Sequence, residues 1–262
     1  MTQTEYVFQN TEDRREFDRL RSIEAIFDPA TRKRLLSAGL REGWRCLEVG
    51  PGAGSIMAWM SEKVGPSGGV TAVDLNARFL NNPPSNVRVL NGDIRAVALE
   101  PESFDLAHAR YVLVHIPEFR SVLEKLRGAL RPGGVLVLEE PDFSVSRALV
   151  GEESEAQSFG KVHRAIIHMY SSKGMDHAIG GKLPSLFQEL GLKNLRIEND
   201  SPISQGGSGI AEMMRMSASQ LKDKYMATGE ATAEDIENYG RFARSKSSRA
   251  IYYATVSVFG QK

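Results

Sequence analysis

Residues Cys46–Ile56 read CLEVGPGAGSI, an apolar run that ends in an acidic residue and then places glycine at every second position, Gly50, Gly52 and Gly54. Glycine has no Cβ, so this turn can take positive φ and let a ligand lie against bare backbone while the next helix packs close to the strand. The spacing is G-x-G-x-G, one residue short of the G-x-G-x-x-G that seats a dinucleotide pyrophosphate on a helix N-terminus, which disfavours a nicotinamide dehydrogenase. Alone, the triplet fits a tight strand-to-helix turn with no ligand equally well.

What surrounds that turn fixes the fold class. From Trp44 onward, short β-rich runs (WRCLEV, GVTAVD, VRVLN, FDLAHA and VLVLEE) alternate with segments of helical spacing, namely Ser55–Val64, a shorter one after Asn76, and Pro117–Leu130. This alternation predicts an α/β fold with a doubly wound, Rossmann-like sheet. RPGG, Arg131–Gly134, reads as a turn that stops the last of these helices and launches the fifth strand. Before the sheet, Glu12–Phe27 reads as an amphipathic helix, and Asp28-Pro29 as the cap and first turn of a second one ending near Gly39.

After Pro141 the pattern predicts a helix over Glu152–Tyr170, a short one over KLPSLFQELG, a sixth strand LKNLRIEND, and a flexible break at SQGGSG. Helices over Ile210–Met226 and Ala233–Arg244 and one terminal strand, AIYYATVSVFG, complete it. The reading is a single domain in three parts: an N-terminal helical cap over 1–42, a ligand-binding core over 43–142, and substrate-side helices with the last two strands over 143–262. A lid is expected from the N-terminal helix and from residues 151–180 and 205–247, the last an insertion. Tyr170, Met213, Met214 and Met216 are candidate apolar lining, although Met at such spacing is more often core.

Composition excludes some partners. Lys plus Arg (33) equals Asp plus Glu (33), so there is no global positive field to drive binding to nucleic acid. No run reaches about 18 uninterrupted apolar residues, and the N-terminus lacks a basic start followed by an apolar stretch, so neither a membrane span nor export is expected and a cytoplasmic place is. The single cysteine, Cys46, sits inside an apolar run and reads as a buried, inert thiol. His163 and His168 are five apart, a poor match to the i, i+4 spacing of helical ligands, and with His177 they lack Cys or acidic companions, so no metal is expected. Oligomeric state is not readable, and a homodimer is compatible with the sequence.

In an open α/β sheet the ligand lies beyond the carboxyl ends of the strands, and each strand end here carries suitable chemistry. Asp74 ends GVTAVD about 20 residues after the last glycine, where an acidic residue can accept both hydroxyls of an unphosphorylated ribose; it can also cap the segment that follows. In NGDI, Asp93 can meet an exocyclic amine while Ile94 packs on a base, although Asn91-Gly92 by itself reads as a surface turn. His115, in VLVHIP after the fourth strand, is the candidate general base, or else packs at the start of the helix from Pro117.

Together LEVGPGAGS, VDLN, NGDI and LRPGGVLVLEEPD resemble the class I S-adenosylmethionine-dependent methyltransferases, closely from Trp44 to Asp142 and only by order of elements after that. The resemblance implies a seven-stranded mixed sheet whose last strand is antiparallel, S-adenosylmethionine as cofactor, and a small-molecule acceptor, with oxygen favoured over nitrogen or carbon. It places the backbone of Gly50 and Gly52 beside the methionine part, Glu48 at the rim of its amino group, Asp74 on the ribose, and Leu75, Asp93 and Ile94 at the adenine. Arg110 falls beside the methionine moiety. The prefix YVFQN…DRLRSIEAIFDPATRKRLL with HARYVLVHIP also resembles a bacterial small-molecule branch in which an N-terminal helix covers the cofactor, which implicates Tyr6 and Arg19. NNPPS, Asn81–Ser85, is similar to an Asn-Pro-Pro amine-gripping motif but lies before the third strand, where it reads as a loop. The same pocket would also serve a cofactor-binding sensor without turnover.

Overall fold

The computed structural model describes residues 6–8 and 13–262; Gln9, Asn10 and the expected helix start at Glu12 lie outside them. Strands β1 (Arg45–Val49), β2 (Gly69–Asp74), β3 (Val87–Asn91), β4 (Phe104–Arg110) and β5 (Leu130–Asp142) pair in parallel, in the order β3-β2-β1-β4-β5. Beyond β5 lie β10 (Ala254–Gln261), antiparallel to both its neighbours, and β7 (Lys193–Asp200) at the edge. This is the expected seven-stranded mixed sheet with an antiparallel last strand. Strand order reverses at β1, so the crevice above β1 and β4 is where a ligand belongs.

Helices cover both faces, which explains why the strands read as unbroken apolar runs. On one face α2 (Ser55–Val64) buries Ile56, Met60 and Val64 in a cluster with Cys46, Leu106 and Val137. On the other, α3 (Phe119–Ala129) and α5 (Ile179–Glu189) pack Leu123, Leu126, Leu183 and Phe187 in the cluster that contains Leu136 and Leu138. The helices α4 (Glu153–Ser172), α6 (Gly209–Gln220), α7 (Lys222–Met226) and α8 (Ala233–Arg244) form the upper layer. No helix among the described residues is long and apolar enough to cross a membrane.

Several elements differ from the sequence reading. The two expected N-terminal helices are one, α1 (Asp13–Ser37), with Pro29 inside it. Proline there gives up its own bond to the preceding turn and crowds the carbonyl four residues back, a cost the packing of this segment must outweigh. Asp28 does not cap a new helix: it binds Arg110 at 3.0 Å and Arg32 at 3.3 Å, and buried Thr31 and Arg34 keep the helix packed against the sheet through Pro29. RPGG is an irregularity within β5 rather than a turn before it, since pairing with β4 passes from Phe104↔Leu130 to Leu106↔Val135.

The expected helix over Ile210–Met226 breaks at Leu221, and the single terminal strand is two, β9 (Arg249–Ile251) and β10. Between the two strands, Tyr252 meets Phe159 and Tyr239 while Tyr253 meets Phe27, Tyr111 and Phe143, so consecutive rings anchor against different aromatic neighbours. SQGGSG is not a flexible break either. Ser204–Gln205 forms β8, which pairs with β9, and β9 pairs in turn with β6 (Arg147–Val150) in a second, three-stranded sheet.

Candidate functional site

A cavity of about 330 Å³ opens over the carboxyl ends of β1, β2, β4 and β5, with α1, α4, α6 and α7 around it. Gly50 (φ 68) and Gly52 (φ 62) line it. A Cβ at Gly50 would sit 2.4 Å from Val112 Cγ2, so this position needs glycine for space as well as for φ. Gly54, expected among the ligand-binding glycines, does not line the cavity. It is the left-handed N-cap of α2 (φ 94) and a Cβ there would meet Leu80 at 3.0 Å, so its requirement is packing. Glu24 of α1, which the sequence did not single out, accepts the Ser55 N–H at 3.0 Å and ties α1 to the start of α2, where an anion is favoured.

Asp74 accepts the Gly52 N–H at 3.2 Å and the Asn76 N–H at 2.8 Å, so the second strand end and the glycine turn are physically joined. Burial pushes its carboxyl up, against the pull of those two N–H donors and of Arg78. Leu75, half-exposed, and buried Ile94 line the same end. Asp93 lines it too, but both its oxygens are held by the Arg95 guanidinium, which keeps its carboxyl below the usual range.

Below the cavity lies a charged network, of which Glu48 and Arg110 reach the lining. Glu48 does not present a free carboxylate at a rim: it is buried and bonded to His108 Nδ1 at 2.8 Å. His108 Nε2 lies 3.2 Å from Glu139, and Glu139 also accepts from Arg34 at 2.6 Å. Arg34 continues to Glu198 at 2.9 Å and to Asp200. With a carboxylate on each ring nitrogen, His108 is held up at about 9 although burial opposes its charge. Glu139 is correspondingly low at about 2: burial opposes its charge too, and His108, Arg110 and Arg34 outweigh it. Arg110 lines the cavity while bonded to Thr31 at 2.8 Å and to Asp28.

The roof is aromatic. Arg19 grips Glu16 with two bonds of 2.9 and 2.7 Å, donates to the Tyr6 hydroxyl at 2.9 Å, and lies 3.7 Å over the Phe8 ring. The Tyr6 ring meets His115 edge-on at 4.9 Å, and Tyr170 flanks His115 at 5.7 Å. Burial, aided by the Arg19 cation, pulls His115 down to about 3. Its Nδ1 is buried with no hydrogen-bond partner among the described residues, which leaves Nε2 as the nitrogen a ligand could use. Phe143, Ile166, Tyr170, Met213, Met214 and Tyr225 extend this apolar end; Met216 does not line it and approaches Ser22 instead, at 3.9 Å. Except for Gly54, the structure thus brings every residue singled out for cofactor binding or catalysis to one cavity. Sequence reasoning passed over Glu16, Glu24, His108 and Tyr225; Ser55, which donates to Glu24, and both partners of His108 lie far along the chain, whereas Glu16 pairs with Arg19 three residues on.

The sequence profile of a methyltransferase domain matches residues 47–138. A demethylmenaquinone methyltransferase of Staphylococcus aureus is 31% identical over 146 residues, 53% of this chain and 60% of that protein, so the chain spans about 60% of the length of the curated relatives it matches. Among solved structures, a phosphoethanolamine N-methyltransferase of Haemonchus contortus in complex with S-adenosyl-L-methionine is 18% identical, with a TM-score of 0.53 over 84% of this chain and 49% of that one. The YcgJ protein of Bacillus subtilis is 17% identical, with a TM-score of 0.55 over 87% of this chain and 96% of that one. At such identities the two structures speak for the fold alone, and the profile match shows that residues 47–138 are similar to a methyltransferase domain.

Proposed function

We propose that this chain transfers the methyl group of S-adenosylmethionine to a small, largely apolar, ring-bearing acceptor, at an oxygen atom. The observation that carries this reading is a single cavity with two unlike ends, a glycine turn beside the Asp74 carboxylate at one and an aromatic chamber around His115 at the other. The cavity lies in the size range of small-molecule sites. At the first end the residues fit the cofactor. Gly50 and Gly52 allow close backbone approach, Asp74 has lone pairs left for two hydroxyls, and Leu75 and Ile94 offer apolar contact to a base. Asp93 would share its oxygens between Arg95 and an amine, Glu48 and Arg110 would border the amino-acid end, and Tyr6 and Arg19 would close the roof.

When bound, S-adenosylmethionine supplies a methyl group that is already electrophilic. The protein's task is alignment of the acceptor and exclusion of water. His115 is neutral across the physiological range, so in the tautomer with its proton on Nδ1 the Nε2 atom can accept a hydrogen bond from an acceptor hydroxyl and orient its lone pair. With a conjugate acid near 3 it orients the hydroxyl better than it stores the proton, which weakens the general-base role expected from the sequence.

The test is calorimetric binding of S-adenosylmethionine, followed by S-adenosylhomocysteine formation across phenolic and other ring-bearing acceptors. His115→Ala should lower turnover on the order of 10²-fold and leave cofactor affinity within about threefold. Tight NAD binding without S-adenosylmethionine binding would overturn the reading, and binding without turnover would favour a sensor. Transfer to a ring carbon is a second reading, favoured by the name of the curated relative. The chemical shift of the transferred methyl separates the two.

A further inference from the structure

Among the described residues, four that are not glycine adopt positive φ, and Tyr111 (φ 57) is the one of these that lines the cavity. An aromatic side chain in the left-handed region is strained, and such strain persists only where the surroundings over-determine it. Tyr111 itself is held at both ends: its N–H donates to the Glu139 carbonyl at 2.8 Å, and its hydroxyl meets Thr255 Oγ1 at 2.6 Å. The next three residues are held by one side chain. Val112 and Leu113 donate their N–H groups to Glu140 Oε1 at 3.0 and 2.8 Å, and Val114 donates to Oε2 at 3.2 Å.

Three successive N–H groups converging on one anion form a nest, here filled by the protein's own carboxylate. Glu140 is fully buried, and burial pushes its carboxyl up to about 7 against the pull of those donors. Packing alone would be served at lower cost by an apolar residue. The turn that Glu140 grips carries a contact for each end of the cavity. Val112 packs against Gly50 so closely that no Cβ fits between them, and His115, whose N–H bonds the Val112 carbonyl at 3.0 Å, stands between Tyr6 and Tyr170.

We propose that Glu140 is a positioning residue that, by holding the three N–H groups of Val112, Leu113 and Val114, sets the glycine turn and the His115 ring in register with each other. This rests on the reading above that Gly50 borders the cofactor and His115 the acceptor. Glu140→Gln is the discriminating variant, because the amide can still accept from Val112 and Leu113 but must turn an NH₂ donor toward the Val114 N–H.

The experiment compares wild type and Glu140→Gln by nuclear magnetic resonance of the histidine rings, with His115 assigned by its loss in His115→Gln, and by calorimetry with S-adenosylhomocysteine. In wild type the His115 ring signals should be displaced by the two flanking rings and should not titrate between pH 5 and 8. In Glu140→Gln they should move toward the values of an exposed histidine and titrate near its ordinary pKa of about 6.5. S-adenosylhomocysteine affinity should fall by about three- to tenfold. A lower Tm with unmoved His115 signals and unchanged affinity overturns the proposal, since a purely structural role predicts that outcome.

Should the variant not fold, amide exchange in wild type decides. Val112–Val114 amides protected as well as those of β4 support the nest, and exchange at loop rates overturns it. No step needs methyl transfer, so absent turnover in wild type would sink the enzymatic reading while the His115 measurement still stands.

Discussion

The floor and the roof of the cavity each bury a histidine, and the two are driven in opposite directions. His108, on β4, lies between Glu48 on β1 and Glu139 on β5 and is raised to about 9. His115, one turn beyond the same strand, faces Tyr6 and Tyr170 with the Arg19 cation nearby and is lowered to about 3. Burial disfavours the charged ring in both; only the partners differ. Carboxylates on adjacent strands make the floor a fixed lattice of charges, whereas rings and methionines, beside the Arg19–Glu16 pair, make the roof a mostly apolar surface that can re-pack around guests of different shape. The fixed end suits a constant cofactor, and the adaptable end a variable acceptor.

The harshest way to break this division is to damage the seam between the two ends. Gly50→Ala adds a Cβ that would lie 2.4 Å from Val112 and requires positive φ of an alanine. It should destabilise the protein by about 2–4 kcal/mol and weaken S-adenosylmethionine binding by 10²-fold or more. Urea unfolding and calorimetry measure both, and near wild-type values would mean that the turn relaxes freely.

The charged floor can be probed by pH. For His108 the folded value, about 9, lies above the unfolded value of about 6.5, so its contribution is fully present below 6.5 and is lost as pH rises toward 9. At about 1.4 kcal/mol for each tenfold change, the loss is of order 3 kcal/mol at most. Wild type should therefore lose more stability than His108→Gln between pH 6 and 9.5, and parallel curves would show that the ring is not charged. His115 has the opposite sign: its folded value is depressed, so stability is lost as pH falls from 6.5 toward 3.

How much of this contrast could be read from the chain depends on the distance over which it is built. The parallel core was legible because β1 to β5 are short apolar runs separated by helical spacing, and the strand-end residues Gly50, Asp74 and Ile94 fall at fixed offsets from those runs. The floor was not. His108 and Glu48 are 60 residues apart in sequence and become neighbours only when β4 pairs with β1, so alternation within either strand carries no sign of their contact. The second sheet was missed because its strands, such as Ser204–Gln205, are too short for a period to register. Pro29 misled in the opposite way, its local preference for a helix start being overridden by the packing of Asp28, Thr31 and Arg34 against the sheet in one continuous helix.

A milder probe of the floor end is Asp74→Ala. It leaves the Gly52 and Asn76 N–H groups without their acceptor and, on the proposed reading, strands two ribose hydroxyls, so S-adenosylmethionine affinity should fall by about 1–3 kcal/mol. An unchanged dissociation constant would remove Asp74 from the cofactor site.

The smallest expected effect tests the roof. Tyr6 contributes a ring edge to His115 and a hydroxyl to the Arg19–Glu16 pair, and these functions separate in Tyr6→Phe. The hydroxyl accepts from Arg19 at 2.9 Å and donates to Glu16 at 3.2 Å, but Arg19 keeps both of its bonds to Glu16 and its place over Phe8 without it. Loss of the hydroxyl should therefore cost only about 0.5–1.5 kcal/mol of stability and change cofactor affinity by less than about threefold. Tyr6→Ala removes the ring as well, opens the chamber beside His115, and should cost about 3–5 kcal/mol. If Phe and Ala prove equally damaging, the roof is held by its polar contacts as the floor is, and the contrast between a charged floor and an aromatic roof fails at Tyr6.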